Sequence, residues 1–400
     1  MSAARLIVGN LDCELSYAPP RPDQVSGPPG PRRELPAPVG DLAAALATLL
    51  RVFAREGDRL WTPRAVDPAR VPAARELPDV QLESGSLRDA EPPSDVLAWG
   101  ETRETAELRK AWHLAPRSAP RGAGGGGGAA PLWDALWSLP APEPDAAAQA
   151  NHRGFSFELS RSLGCALPGA RRIRAREELE AHLLAGGADA GRGAWVAKAP
   201  LGAAGRERAG QRGGSLRGDV RVRVERLLAE HGELIFEPWV SRTSDYGVCG
   251  FAGAPDAEPA ILEPHRLECD RQGVIRALEV GGRAGALAEP LRRELTSAAR
   301  VAGAALARAG YRGPFNVDAF TYEDPSGAAR VQPLCEINAR LSLGFVARAL
   351  AERVAAPRGY SGARLELGRP ALGDPAGAAR VPLLTPGGAH AAAAALVLRP

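Results

Sequence analysis

The chain has 400 residues, enough for two or three domains, because single hydrophobic cores stop growing near about 250–300 residues. With 45% hydrophobic and 24% charged residues it is not a wholly disordered chain. Its 50 basic and 47 acidic residues leave a net charge of only +3, which excludes any charge-based argument for a nucleic-acid or membrane partner.

Taken from its start, Met1 to Asn10 reads as a first strand, Arg5–Gly9, and not as a signal peptide. A polar loop, 10–14, follows, then a Pro-rich stretch, 19–38, and a helix over 41–56. Residues 59–63 and 95–99 read as further strands, the second leading into a helix over 101–110, so the first 115 residues read as an α/β unit with a mostly parallel sheet. Residues 116–150 hold the five-glycine run Gly124–Gly128 and read as a Gly/Pro-rich linker. Beyond it come amphipathic helices over 155–163 and 177–184, a strand over 194–199, a loop rich in Gly and Arg over 201–214, and strands over 234–238 and 246–251. Strands at 260–262, 266–270 and 274–280 precede a helix over 290–309 with Leu291, Leu295, Ala299, Ala302 and Leu306 on one face. A last strand pair covers 316–322 and 331–338. No apolar run approaches the roughly 18 residues of a membrane span. The five cysteines form no CxxC pair, which argues against both a zinc site and a disulfide framework and makes a cytoplasmic protein the expectation.

Methionine occurs only at Met1, lysine only at Lys110 and Lys198, and asparagine only at Asn10, Asn151, Asn316 and Asn338. Where lysine or asparagine persists against so strong a bias to Arg and Ala, a side-chain requirement is the natural reading. The last strand pair carries two of the asparagines. If that hairpin is symmetric about Gly327, Asp318 faces Glu336 and Asn316 faces Asn338, with Glu336 and Asn338 on one face. Opposed carboxylates repel, and Mg2+, which takes hard oxygen ligands, would relieve the repulsion through Asp318, Glu336 and the Asn338 amide oxygen. The alternative is a solvated hairpin face, and Pro333 warns of a bulge.

Lys198 sits on a strand directly before the glycine loop, a place suited to phosphate oxygens, although it can also snorkel at a sheet edge. The loop with Gly202, Gly205 and Arg206 can close over a polyphosphate through backbone N–H groups, or be a plain loop; it is not a Walker loop. Glu237, Trp239 and Val240 end a strand and can offer backbone groups to an adenine edge, with Asp245 in reach of ribose hydroxyls. No aromatic residue lies among the arginines of 206–226, which argues against RNA.

In this order, a strand lysine, a Gly-rich flap, a Glu-x-x-Val hinge, an Asp and a late Asp…Glu-x-Asn followed by Arg340, the chain resembles the ATP-grasp superfamily over about residues 150–350. The resemblance implies an α/β plus α+β chain: an N-terminal Rossmann-like pre-ATP-grasp domain (1–115), the linker (116–150), a two-subdomain grasp (151–235 and 236–352) and a C-terminal extension (353–400). It implies ATP between the subdomains, with Lys198 on phosphate, 237–240 on adenine, Asp245 on ribose, and Asp318, Glu336 and Asn338 on Mg2+, or Mn2+ in its place. Arg153 stands where such proteins carry a second basic phosphate ligand, usually lysine. The expected activity is a carboxylate–amine ligase acting through an acyl phosphate, with Lys198 and Arg340 as catalytic residues; a small-molecule phosphotransferase and a catalytically silent nucleotide-binding module are the alternatives. The implied partners are small-molecule carboxylate and amine substrates, with no nucleic acid and no membrane, and with a homodimer as the open assembly.

Overall fold

The computed structural model describes residues 4–17, 35–115, 130–187, 189, 193–202, 207–270, 273–368, 379–387 and 393–400. Three sheets organise them. The first is parallel: β1 (Leu6–Val8), β2 (Arg59–Thr62), β3 (Gln81–Ser84) and β4 (Val96–Ala98), in the order β3-β2-β1-β4. All three residues of β1 are buried, as expected of a continuous apolar run in a parallel sheet covered on both faces. Helices α1 (Ala37–Ala47) and α2 (Arg103–Ala111) belong to this part, α2 being started by a reciprocal cap between Thr102 and Thr105.

Short helix α3 (Leu132–Ala135) and helices α4 (Pro144–Asn151) and α5 (Arg153–Ser162) follow. The expected linker 116–150 is therefore corrected. Residues 116–129, with the glycine run, lie outside the described residues, but 144–151 are helical because Pro144 occupies the first turn, where its missing N–H costs nothing, and alanines follow.

The second sheet is antiparallel: β5 (Arg171–Ile173), β6 (Ala194–Lys198), β7 (Arg208–Arg212) and β8 (Leu234–Pro238), ordered β5-β8-β6-β7. Part of the expected glycine loop is thus strand β7. The division placed between 235 and 236 falls inside β8, which pairs along its length with β5 and β6. Helices α6 (Arg176–Leu184) and α7 (Gly218–His231) contribute Leu179, Leu183, Val224 and Leu227 to the core over one face, where Trp195, Ala197, Leu234 and Phe236 also point. The two-residue period then sends Val196, Lys198, Ile235 and Glu237 to the other face.

The third sheet has nine strands: β9 (Ser241–Ala252), β10 (Ala260–Ile261), β11 (His265–Cys269), β12 (Ile275–Gly281), β13 (Gly313–Glu323), β14 (Ala329–Asn338), β15 (Gly362–Leu367), β16 (Arg380–Leu384) and β17 (Ala394–Arg399). Their order is β14-β13-β9-β11-β12-β15-β17-β16, with β10 on β9. The expected extension 353–400 is not separate: β15 pairs with β12 and carries β17 and β16 as a continuation of the same sheet. Helix α8 (Gly282–Gly285) is a single turn, α9 (Glu289–Arg308) packs Leu295, Ala299, Ala302 and Leu306 against Val317 and Ile337, and α10 (Leu343–Leu350) is buried among residues of the first and third sheets. Among the described residues no helix is long and apolar enough to cross a membrane.

Gly344, in α10, permits a close approach. A Cβ there would lie 2.5 Å from Cε1 of His265 and 2.8 Å from Sγ of Cys249, and His265 is only 1% exposed. It cannot retreat freely, because a Cβ at Gly247 would also sit 2.4 Å from its Nε2. Helix propensity favours alanine by at most about 1 kcal/mol, whereas overpacking costs about 1–3 kcal/mol. Gly344→Ala is therefore expected to be net destabilising, read as a lower urea midpoint at unchanged m-value.

Candidate functional site

The inner face of the four-stranded antiparallel sheet carries a close ion pair: Lys198 Nζ lies 2.6 Å from Oε2 of Glu237. Burial pulls the Lys198 amine down, but the Glu237 carboxylate, then Cys335 and Glu336, more than offset this and leave it raised. Arg153, in the first turn of α5, reaches the same space. It donates to the carbonyl oxygens of Ala199 (2.6 Å) and Gly202 (3.3 Å) and pairs with Glu336 Oε1 at 3.0 Å. One guanidinium thus ties α5, the segment after β6, and β14.

On the facing hairpin, Asp318 pairs with Glu336 and Asn316 with Asn338. The expected pairs form, but for two offsetting reasons. Nearer the turn, Glu323 faces Ala329 and Phe320 faces Gln332, so the ribbon is centred one residue before Gly327, and a bulge in the Pro333 region then adds two residues to β14 and restores the pairing beyond it. Because Val317 and Ile337 enter the core, Asn316, Asp318, Glu336 and Asn338 share the opposite face. Asp318 accepts from Nδ2 of Asn316 (2.6 Å) and Nδ2 of Asn338 (2.9 Å). Burial, and then the Glu336 charge, push its carboxyl up to about 7. Glu336 goes the other way: burial raises it, but Arg153, then Lys198 and Arg340, bring it below its ordinary range.

Arg340 donates through Nε (2.9 Å) and one terminal nitrogen (2.7 Å) to Oε1 of Glu14, and through the same nitrogen to the Asn338 amide oxygen (3.0 Å). Burial alone would lower the guanidinium, but Glu14 leads the charges that hold it raised. The polar loop after β1 is thereby joined to the end of β14 across the chain. Breaking one partner of such a largely buried pair costs about 3 kcal/mol or more, so Glu14→Ala should lower the unfolding free energy by about that amount in urea denaturation.

Lys198, Arg153, Glu237 and Glu336 line one cavity, with Phe157, Ile235 and Phe320 as its apolar walls. The other expected site residues are placed as follows. Gly202 accepts from Arg153 through its carbonyl, while Gly205 and Arg206 lie outside the described residues. Val240 is buried beside Phe320, whereas Trp239 is 45% exposed and its backbone N–H donates to the Ala194 carbonyl. Asp245 pairs with Arg242 at 3.0 Å, and that guanidinium stacks over the Phe320 ring. Asn338 differs from the expectation: its NH2 group faces Asp318 and its oxygen faces Arg340. The carboxylates of Asp318 and Glu336 are the charged oxygen donors left to hold a cation. Glu14 was not foreseen, and its only sequence signal is its place in the polar loop following a parallel strand, where open α/β sheets present ligand-facing groups.

No family model matches the chain, and no curated protein matches it. Solved structures do. The biotin carboxylase–beta-gamma-ATP complex from Campylobacter jejuni superposes with a TM-score of 0.55 at 11% identity, covering 99% of this chain and 87% of that one. The biotin carboxylase domain dimer of Hydrogenobacter thermophilus 2-oxoglutarate carboxylase, in complex with MgADP, ADP and bicarbonate, gives 0.52 at 12% identity over 100% and 87%. N5-carboxyaminoimidazole ribonucleotide synthetase from Thermus thermophilus gives 0.51 at 14% identity over 99% and 93%. At these identities the likeness is one of fold.

Proposed function

We propose, from the ATP-grasp fold that this chain shares with those structures, that the protein is an ATP- and Mg2+-dependent ligase joining a small-molecule carboxylate to an amine. The observation that carries the reading is the single cavity in which Lys198 and Arg153 meet Glu336 of the acidic hairpin. Complexes of the similar structures with beta-gamma-ATP and MgADP support the same choice of nucleotide and ion.

The donor set fits a divalent cation. Asp318 and Glu336 are opposed hard-oxygen ligands, and Asp318 is raised to about 7 first by burial and then by the facing Glu336 charge, which a bound cation would offset. Mg2+ (or Mn2+) held there would supply charge neutralisation at the transferring phosphoryl group. Lys198 would exchange Glu237 for phosphate oxygens, with Arg153 and the backbone at Gly202 beside it. Glu237, Trp239 and Val240 would border the adenine and Asp245 the ribose. The cavity is narrow, about 10 Å3, so nucleotide entry would need the groups that line it to move apart. The γ-phosphoryl group passes to a carboxylate oxygen, giving an acyl phosphate and ADP; the amine then attacks the acyl carbon, phosphate leaves, and the amine loses a proton. Arg340, fixed by Glu14, stabilises the charge that develops in these steps.

The test is ADP release with panels of carboxylic acids and amines. Dependence on both supports the ligase. Dependence on one partner alone indicates a phosphotransferase, and nucleotide binding without turnover indicates a silent module. A pH dependence follows as well. The folded protein keeps the Asp318 proton up to about 7, against an ordinary value of 3.8, so this group's contribution to stability falls as pH rises through that window. Cation binding needs the carboxylate. Mg2+ affinity should therefore rise with pH up to about 7, with up to one proton released per ion, measured by calorimetry in buffers of different ionisation enthalpy.

A further inference from the structure

Glu207, immediately before β7, and Glu230 and His231, in the last turn of α7, bring their side chains together within the layer of the four-stranded antiparallel sheet. The backbone there is well anchored: the Glu207 carbonyl accepts from Ala199 N at 2.8 Å, and Gly232 closes α7 with φ +74°. His231 Nε2 lies 3.1 Å from Oε2 of Glu207 and 4.0 Å from Oε2 of Glu230. Its side chain is only 3% exposed, yet Nε2 makes no hydrogen bond: the Glu207 oxygen is near but makes none with it, and the Glu230 oxygen is too far. One ligand atom from each residue lies within 4.8 Å of the others, and among the described residues this is the one such group of three.

We propose that Glu207, Glu230 and His231 bind a divalent cation of the Zn2+ class, at a site distinct from Asp318 and Glu336. Zn2+ bonds imidazole nitrogen and carboxylate oxygen at about 2.0–2.2 Å, which sets neighbouring donors roughly 3.0–3.6 Å apart. The separations of 3.1 and 4.0 Å need only small side-chain adjustment to meet that condition. An imidazolium shared between the two glutamates is the competing arrangement, but it would direct an N–H at one of the oxygens, and Nε2 makes no such bond. The two carboxylates bring two negative charges for the ion to balance. The nitrogen donor selects Zn2+ over Mg2+, which prefers an all-oxygen shell. Glu207 and Glu230 also have interactions elsewhere, and a carboxylate with two oxygens can keep one contact while giving its other oxygen to a metal. His231 borders a cleft of about 750 Å3 shared with His152 and Arg172, an entry path for the ion and for the waters completing its shell. Bound there, the ion clamps the root of β7 to the end of α7.

Full-length protein, stripped with chelator and free of nucleotide, would be titrated with ZnCl2 by calorimetry and the bound metal counted. One equivalent is expected, with affinity falling at least about tenfold in Glu230→Gln and further in His231→Ala. X-ray absorption of the zinc-loaded wild type, which needs no variant to fold, should show an imidazole and oxygen donors near about 2.0–2.1 Å. Absence of stoichiometric binding overturns the proposal. So does a sulfur shell near about 2.3 Å, which would place the ion on cysteine, or binding lost in Glu336→Gln but kept in His231→Ala, which would place it on the acidic hairpin. Loss of ADP release with intact zinc binding would count against the ligase reading alone.

Discussion

Glu336→Gln should lower the turnover number for ADP release by about a thousandfold or more while leaving the folded protein intact. Glu336 stands opposite Asp318 and receives Arg153 at 3.0 Å. The glutamine amide oxygen can still accept from Arg153, so the α5–β14 contact is kept and only the charge that the proposed cation would need is removed. Removing that charge also takes away the repulsion that, after burial, raises Asp318, so the cost of losing half of the Arg153 ion pair is partly offset and the melting temperature should change little. Alanine at 336 is the harsher variant, because it strips Arg153 of its partner altogether. Steady-state ADP release and thermal melts on the same preparations check both halves, and unchanged turnover in the glutamine variant would remove Glu336 from the site.

Lys198→Met has two separable effects. Losing a charge-assisted contact to phosphate should weaken ATP binding by about 10- to 100-fold. Independently, it leaves the Glu237 carboxylate largely buried without its partner at 2.6 Å, at a cost of about 3–5 kcal/mol. The double variant Lys198→Met, Glu237→Gln removes the orphaned charge. It should recover most of the stability and none of the nucleotide affinity. Recovery of both would mean that Lys198 serves the fold and not the ligand.

Much of this site was readable because its residues are local and their types are rare. The hairpin announces itself through Asp324–Gly327, and the two-residue period fixes which side chains share a face. Lys198 stands out in a chain with two lysines, and alternation along Ala194–Lys198 sets it opposite the core residues Trp195 and Ala197. The register at Asp318 and Glu336 came out as expected only because the turn centre and the two-residue bulge shift the pairing in opposite senses, a coincidence no single-strand pattern contains. What was not readable is non-local. Glu14 and Arg340 are 326 positions apart, and nothing near either names the other. Strands β15–β17 are brief apolar runs separated by Gly- and Pro-rich segments, so their addition to the edge of β12 depends on pairing partners far away in sequence. The orientation of Asn338 is likewise set by Arg340, a residue which by spacing alone is only its neighbour.

The most direct measurement is a crystal structure of the protein grown with Mg2+ and a non-hydrolysable ATP analogue. One nucleotide is expected between the four-stranded antiparallel sheet and the nine-stranded one, its phosphate oxygens within hydrogen-bond distance of Lys198 Nζ, and Mg2+ touching both Asp318 and Glu336. A nucleotide bound elsewhere, such as in the cleft beside His152 and His231, with Lys198 still paired to Glu237, would contradict the assignment.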